Sequence, residues 1–166
     1  LRAPDGAFYF LEVNTRLQVE HGVTELVSGL DIVREQFHLA AGEPLSAAAL
    51  AASDRAADPF GHAIEVRLSA EDPGHDFAPT PGRIRRWVMP AGPGVRVDTA
   101  IAAGDRVPAE YDNLIAKIMV HAADRELAID RLRRALDETE IAGIQTTLPF
   151  HRFVARDPSF RAAALS

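Results

Sequence analysis

The run LIAKIMVHA, positions 114–122, constrains this chain more than any other stretch, because it is the most strongly apolar segment in it. It is far shorter than the roughly 20 residues of a membrane span. Its length and β-branched content make it a strand that belongs inside a fold. Two neighbours in character go with it. HAIEVRLSA (62–70) alternates, with Ile64, Val66 and Leu68 on one face and Glu65, Arg67 and Ser69 on the other, the signature of a half-buried strand. DRELAIDRLRRALDET (124–139) repeats at helical spacing, and Leu127, Ile129, Leu132 and Leu136 are expected to line its buried face. A sheet with helices packed on it follows, an α+β fold.

Further strands are expected at 83–90 (RIRRWVMP) and 94–99 (GVRVDT). Turn-rich EDPGHDFAPTPG and the loop AGDRVPAEYD flank them, and the closing segment from IAGIQTT holds a short strand and one or two helices. Upstream, residues 7–13 alternate and are aromatic-rich, which predicts a strand, with a loop over 14–22. Asp31 is placed to cap the helix IVREQFHLAA, with Gly42 and Pro44 beyond its end. The alanine-rich stretch 45–61 predicts a short helix and a loop ending at Pro59. These signals divide the chain into residues 1–45, a linker or insert at 46–61, and a second unit at 62–166. Leu1 is not an initiator methionine, and LRAPDG is a hairpin turn leading straight into an apolar run, so the chain is expected to be a piece of something larger.

With 166 residues, nearly half of them hydrophobic, the chain can bury a sizeable core. A net charge of −6 with no basic run argues against a nucleic-acid face. Without cysteine there are no disulfides, zinc–thiolate sites or thiol catalysis. The six histidines show no HxxxH or HxH spacing. PAGPGVR lacks the GK[ST] ending of a phosphate loop, and Arg83, Arg85 and Arg86 suit a solvated or subunit-facing strand. No membrane segment or leader is evident, which makes the cytoplasm the expected compartment.

EVNTRLQVEH (12–21) carries the chemistry. Alternation puts Glu12, Asn14, Arg16, Gln18 and Glu20 on one side if the backbone stays extended. A solvated strand face is the ordinary explanation of such a pattern. Against it stand the apolar flanks and the mixture of anion, cation and amide on one stripe. Glu and Asn oxygens suit Mg²⁺, which takes oxygen ligands and usually only one or two carboxylates plus phosphates. Arginine offers a planar fork for a small planar oxyanion, and a second glutamate beside it is a candidate base.

FYFLEVNTRLQVEHGVTELVSGLDIVREQFHLAAGEPL resembles the end of the ATP-grasp domain of biotin carboxylases. GHAIEVRLSAEDP, FAPTPGRI, GVRVDT, YDNLIAKIMV and IAGIQTT resemble, in order, that family's C-terminal domain, an antiparallel sheet with packed helices. The resemblance covers nearly the whole chain and is nearest to the biotin-carboxylase part of acetyl- or propionyl-CoA carboxylases. It implies a ligase that makes carboxyphosphate from bicarbonate and MgATP and then carboxylates biotin on a carrier domain. By the same resemblance Glu12 and Asn14 are expected to face Mg²⁺ (or Mn²⁺), and Arg16 to clamp bicarbonate with Gln18 and the backbone N–H of Val19. Glu20 corresponds to the base, and Arg67 to the cation that stabilises the biotin enolate. The implied partners are the rest of the ATP-grasp domain, a biotin carboxyl carrier domain, a second copy in a homodimer, and a carboxyltransferase subunit.

The chain departs from compact bacterial relatives in its longer alanine-rich stretch and in Pro93, where some carry an aromatic near a dimer contact that also involves Arg96. Lys117 is the one lysine, and its place inside an apolar strand argues against a biotinylation site. ATP-grasp enzymes hold phosphates with lysines on other segments, so the nucleotide site is expected outside this chain, which alone should be silent. A pyruvate or urea carboxylase parent is an alternative, as is a non-catalytic docking module. A carbamoyl-phosphate synthetase is disfavoured, because such enzymes lack the GHAIEVRLSAEDP and YDNLIAKIMV modules.

Overall fold

The computed structural model describes residues 1–56 and 58–164; Ala57, within the alanine-rich stretch, and residues 165–166, at the end of the closing segment, lie outside them. Three helices come first: α1 (His21–Ser28), α2 (Ile32–Ala40) and α3 (Ala47–Asp54). Strands β1 (His62–Ser69), β2 (Glu71–Asp72), β3 (Ala78–Pro79), β4 (Gly82–Arg83), β5 (Arg86–Val88), β6 (Val95–Asp98), β7 (Arg106–Val107) and β8 (Leu114–Ala122) follow. Helix α4 (Arg125–Glu138), β9 (Glu140–Ala142), α5 (Leu148–Val154) and α6 (Pro158–Arg161) complete the order.

The centre is a three-stranded antiparallel sheet in the order β1-β8-β6. The apolar run 114–122 is its middle strand, which explains why that run had to be continuous: both its edges are paired and both its faces are covered. Register puts Ile64, Val66 and Leu68 beside Val120, Ile118 and Ala116, and Val95 and Val97 beside Val120 and Ile118. This apolar face packs on α4 through Leu132, Ala135 and Leu136. Asp124 caps α4 by accepting from the Leu127 amide at 2.8 Å. Leu127 itself is 52% exposed, and the buried stripe runs through Ala128, Ile129, Leu132, Ala135 and Leu136 instead.

The opposite face is charged yet also covered. Register sets Met119 between Glu65 and Arg96, and Lys117 between Arg67 and Asp98. Helix α1 lies over it, close enough that a Cβ on Gly22 would fall 2.2 Å from the Met119 sulfur. The glycine lets helix and sheet approach.

Several expectations change. Residues 7–13 form no strand; one bridge joins Arg2 to Phe8, and Phe8 and Phe10 are exposed, because no strand of the described chain pairs with them. The loop expected over 14–22 ends at Glu20, because α1 begins at His21. The single strand expected at 83–90 is two, since β4 pairs with β7 and β5 with β9, while Ile84 between them turns fully into the core. The expected helices after Asp31 and in the alanine-rich stretch both form, capped by Asp31 and Ser46.

Candidate functional site

The site lies where the 12–20 segment enters α1 above the charged face of the sheet. Glu20 occupies the cap position of α1 but makes no capping bond with its side chain. Its carboxylate instead accepts from Arg67 Nη2 at 2.7 Å, joining the loop to the sheet across 47 positions. Both groups are about half exposed, so solvent and a ligand can reach them. The negative charge also sits at the positive end of the α1 dipole.

Arg67 stands between two carboxylates. On its other side Glu65 Oε1 lies 3.7 Å from Nε. Sequence alternation put Glu65 on a solvated face; its side chain is only 5% exposed, because α1 covers it, and neither oxygen finds a hydrogen-bond partner. Burial pushes the Glu65 carboxyl up, Lys117 and Arg67 pull it back, and the net is a raised value. The Arg67 carbonyl is held from below by the Thr147 hydroxyl at 3.1 Å and by His151 Nε2 at 2.7 Å, both donating. Burial holds the His151 imidazole below its ordinary value, although the carbonyl favours the protonated form.

Lys117 is nearly buried, at 8% exposure, and donates to the Val19 carbonyl at 2.8 Å, with Asp98 Oδ2 at 3.4 Å. Asp98 receives Arg96 in a two-pronged pair at 2.8 and 3.0 Å, and Arg96 reaches Glu25 of α1 at 2.6 Å. Burial raises the Asp98 carboxyl, but the bonds and charge of Arg96, joined by Lys117, outweigh it and leave it lowered. Glu25 also accepts from the Ile32 amide at 2.8 Å, tying α1 to the start of α2. Within the chain, therefore, Arg96 is already committed to an acidic pair.

Asn14, Arg16, Gln18 and Glu20 line one open cleft of about 450 Å³, together with Thr24 and Gln36. Among the described residues Arg16 is exposed and enters no ion pair, so its fork is available to an anion. The Gln18 amide nitrogen is buried without a partner. Glu12 lies exposed on the extended segment and does not line that cleft. Among the described residues no three histidine or acidic side chains converge as a metal cluster. Glu12 and Asn14 supply oxygen donors of the kind Mg²⁺ takes, and a complete shell would need phosphates and further carboxylates. The structure adds Glu65, Lys117, Asp98, Thr147 and His151 to the residues around Arg67 and Glu20. The one signal for them in the sequence was a lysine inside an apolar strand.

Residues 65–166 match the family described as the biotin carboxylase C-terminal domain. This chain belongs to that family. Residues 1–48, ahead of the biotin carboxylase C-terminal match, fit the family described as the carbamoyl-phosphate synthase L chain, ATP binding domain. A biotin carboxylase of Nostoc is 48% identical over 155 residues, 93% of this chain and 34% of that protein. A pyruvate carboxylase subunit of Methanothermobacter thermautotrophicus is 46% identical over 161 residues, 97% of this chain and 32% of that protein. Among solved structures, the biotin carboxylase domain dimer of Hydrogenobacter thermophilus 2-oxoglutarate carboxylase, in complex with MgADP, ADP and bicarbonate, superposes with a TM-score of 0.89 at 43% identity. That match covers 96% of this chain and 34% of the other. The chain thus spans about a third of the length of the relatives it matches. Among the described residues no helix is long and apolar enough to cross a membrane.

Proposed function

We propose that this chain supplies the bicarbonate and biotin side of a biotin carboxylase active site, an ATP-dependent ligase whose nucleotide pocket is built mainly by other residues. Residues 1–45 are then the end of an ATP-grasp domain, 46–61 a linker, and 62–166 the C-terminal domain. The observation that carries the reading is the 2.7 Å contact between Glu20 and Arg67 beside the cleft that holds Arg16. It supports reading Glu20 as the base, Arg16 as the anion fork and Arg67 as the enolate-stabilising cation of one site.

Bicarbonate docks on Arg16 with Gln18 and the Val19 N–H, and Glu20 takes its proton, leaving carbonate to attack the γ-phosphorus of ATP, break its bond to the bridging oxygen and form carboxyphosphate with release of ADP. Mg²⁺ held in part by Glu12 and Asn14 would neutralise phosphate charge. Glu20, once protonated, no longer attracts Arg67, whose guanidinium turns to the ureido oxygen of biotin as negative charge develops there. With its one lysine buried beneath the loop, the chain offers no free lysine to the triphosphate, so it is inactive alone. An acyl-CoA carboxylase parent is the preferred reading, with a carrier domain, a carboxyltransferase and a second copy as partners; the similarity to the Methanothermobacter pyruvate carboxylase favours a pyruvate carboxylase as the second reading.

The test is a chimera in which residues 1–166 replace the matching third of the Nostoc enzyme. Arg67→Ala in it should slow biotin carboxylation by about 10²–10³ while sparing bicarbonate-dependent ATP cleavage. Equal losses in both half-reactions would overturn the assignment.

A further inference from the structure

Lys117 is the one lysine of the chain and sits where an apolar side chain would be expected, in the middle strand of the sheet. The ladder needs only its backbone. Burying a lysine costs rotamer freedom and hydration, and an apolar residue of similar size would avoid both. What the ammonium obtains is the Val19 carbonyl, 98 positions away, with Asp98 balancing its charge.

The register gives this contact its meaning. Lys117 pairs directly with Arg67 across β8 and β1. These two cations, side by side on the sheet, hold two successive residues of the loop: Lys117 takes the backbone of Val19, Arg67 the side chain of Glu20. The two holds differ in kind. The Arg67 contact is half exposed and joins two side chains, whereas the Lys117 contact is nearly buried and grips a carbonyl that does not ionise. A carbonyl fixes its whole peptide plane, and the Val19 carbonyl shares its plane with the Glu20 N–H.

We propose that Lys117 is a positioning residue that keeps the Gln18–Glu20 loop in register with the sheet while the Glu20–Arg67 pair opens during turnover. The role rests on the biotin carboxylase reading for its use in catalysis, but the clamp itself is a property of this chain. Lys117 touches no substrate; it acts through the Val19–Glu20 peptide.

Two measurements on the full chain decide the clamp. With ¹⁵N-lysine and ¹³C-carbonyl valine, the one lysine Nζ should show a through-hydrogen-bond coupling to a single valine carbonyl; no coupling would overturn the proposal, and this needs no variant. Lys117→Met should speed amide exchange at His21 and Val23, whose amides donate to the Gln18 and Glu20 carbonyls of the loop, by roughly ten- to a hundredfold, the loss of one hydrogen bond to a charged donor. Exchange in α4 and β6 should stay as in the wild type, and Lys117→Arg should restore part of the loop protection. Unchanged loop exchange, or equal loss of protection throughout the sheet, counts against it.

A third measurement decides the link to catalysis. In the Nostoc chimera Lys117→Met should raise KM for bicarbonate at least tenfold, with a smaller change in kcat. A KM unmoved while the loop exchanges faster would overturn the catalytic link. A wild-type chimera without activity counts against the biotin carboxylase reading instead, and leaves the clamp to the exchange and coupling results.

Discussion

Thr147→Val tests how strand β1, and Arg67 with it, is held in place. The β1–β8 register shifts between Leu68 and Ser69, so the ladder is broken two residues from Arg67. Thr147 fills the break: its hydroxyl accepts from the Ser69 amide at 3.0 Å and donates to the Arg67 carbonyl at 3.1 Å, while its own amide donates to the Ser69 carbonyl at 3.1 Å. Although Thr147 stands at the start of α5, its side chain makes no capping bond, so valine would not uncap the helix. The two side chains are nearly equal in volume and the site is 5% exposed, so no cavity opens. What changes is hydrogen bonding. The Arg67 carbonyl keeps His151, but the Ser69 amide is left without a partner. An orphaned donor costs about 1–3 kcal/mol and the lost second bond adds a fraction, so about 2 kcal/mol is expected. Urea unfolding should show a midpoint lower by about 1 M with an unchanged slope. Thr147→Ser should recover most of the loss. A valine variant within about 0.5 kcal/mol of wild type would mean that the hydroxyl is dispensable and β1 is held by packing alone.

Glu65→Gln should flatten the pH dependence of stability. The Glu65 carboxyl lies above its ordinary value of 4.5 in the folded chain, so its contribution is fully present below that value and is lost as pH rises through the raised one. Denaturant midpoints measured from pH 4 to 8 check it, and an unchanged slope in the variant refutes it. Gly143→Ala should cost about 2–3 kcal/mol in a chemical denaturation series, because φ is +113° and a Cβ would fall 2.2 Å from the Arg83 carbonyl oxygen, a backbone atom. Glu20→Gln should shift the stability of this chain by less than about 1 kcal/mol, since its ion pair is half exposed. In the Nostoc chimera the same change should abolish bicarbonate-dependent ATP cleavage, because the amide accepts no proton.

The parts of the fold that were legible in the sequence are those whose pattern is set by their own neighbours. The run 114–122 and the alternation 62–70 became β8 and β1 because their apolar residues meet one helix on one face. The 7–13 run has the same local character but no partner strand among the described residues, and a strand exists only through its partner. HGVTELVS does not read as a helix in the sequence because glycine and β-branched residues weaken its propensity; packing of Gly22 over Met119 stabilises it instead. Within the site, Arg67 and Glu20 were legible as chemistry, and the structure brings them together. Glu65 and Lys117 were not, because alternation assigns a side chain to a face and is silent on what covers that face. Only the placement of α1 turns a nominally wet row into a buried one.

The order in which the middle strand acquires its neighbours sets how the chain assembles. Val97 and Val66 both face Ile118, but the stretch of chain that must close to bring Val66 there is more than twice as long. By loop entropy alone the second closure costs about 0.8 kcal/mol more than the first. The β6–β8 ribbon therefore has the head start in folding, and β1 docks onto an edge already formed. Thr147 and His151 can fasten the Arg67 backbone only after α4 has closed and α5 has followed it. A ribosome that has released the strand bearing Arg67 still has about eighty residues to make before the Thr147 and His151 bonds to that strand exist. The backbone beneath Arg67 is fastened only once α5 has been made.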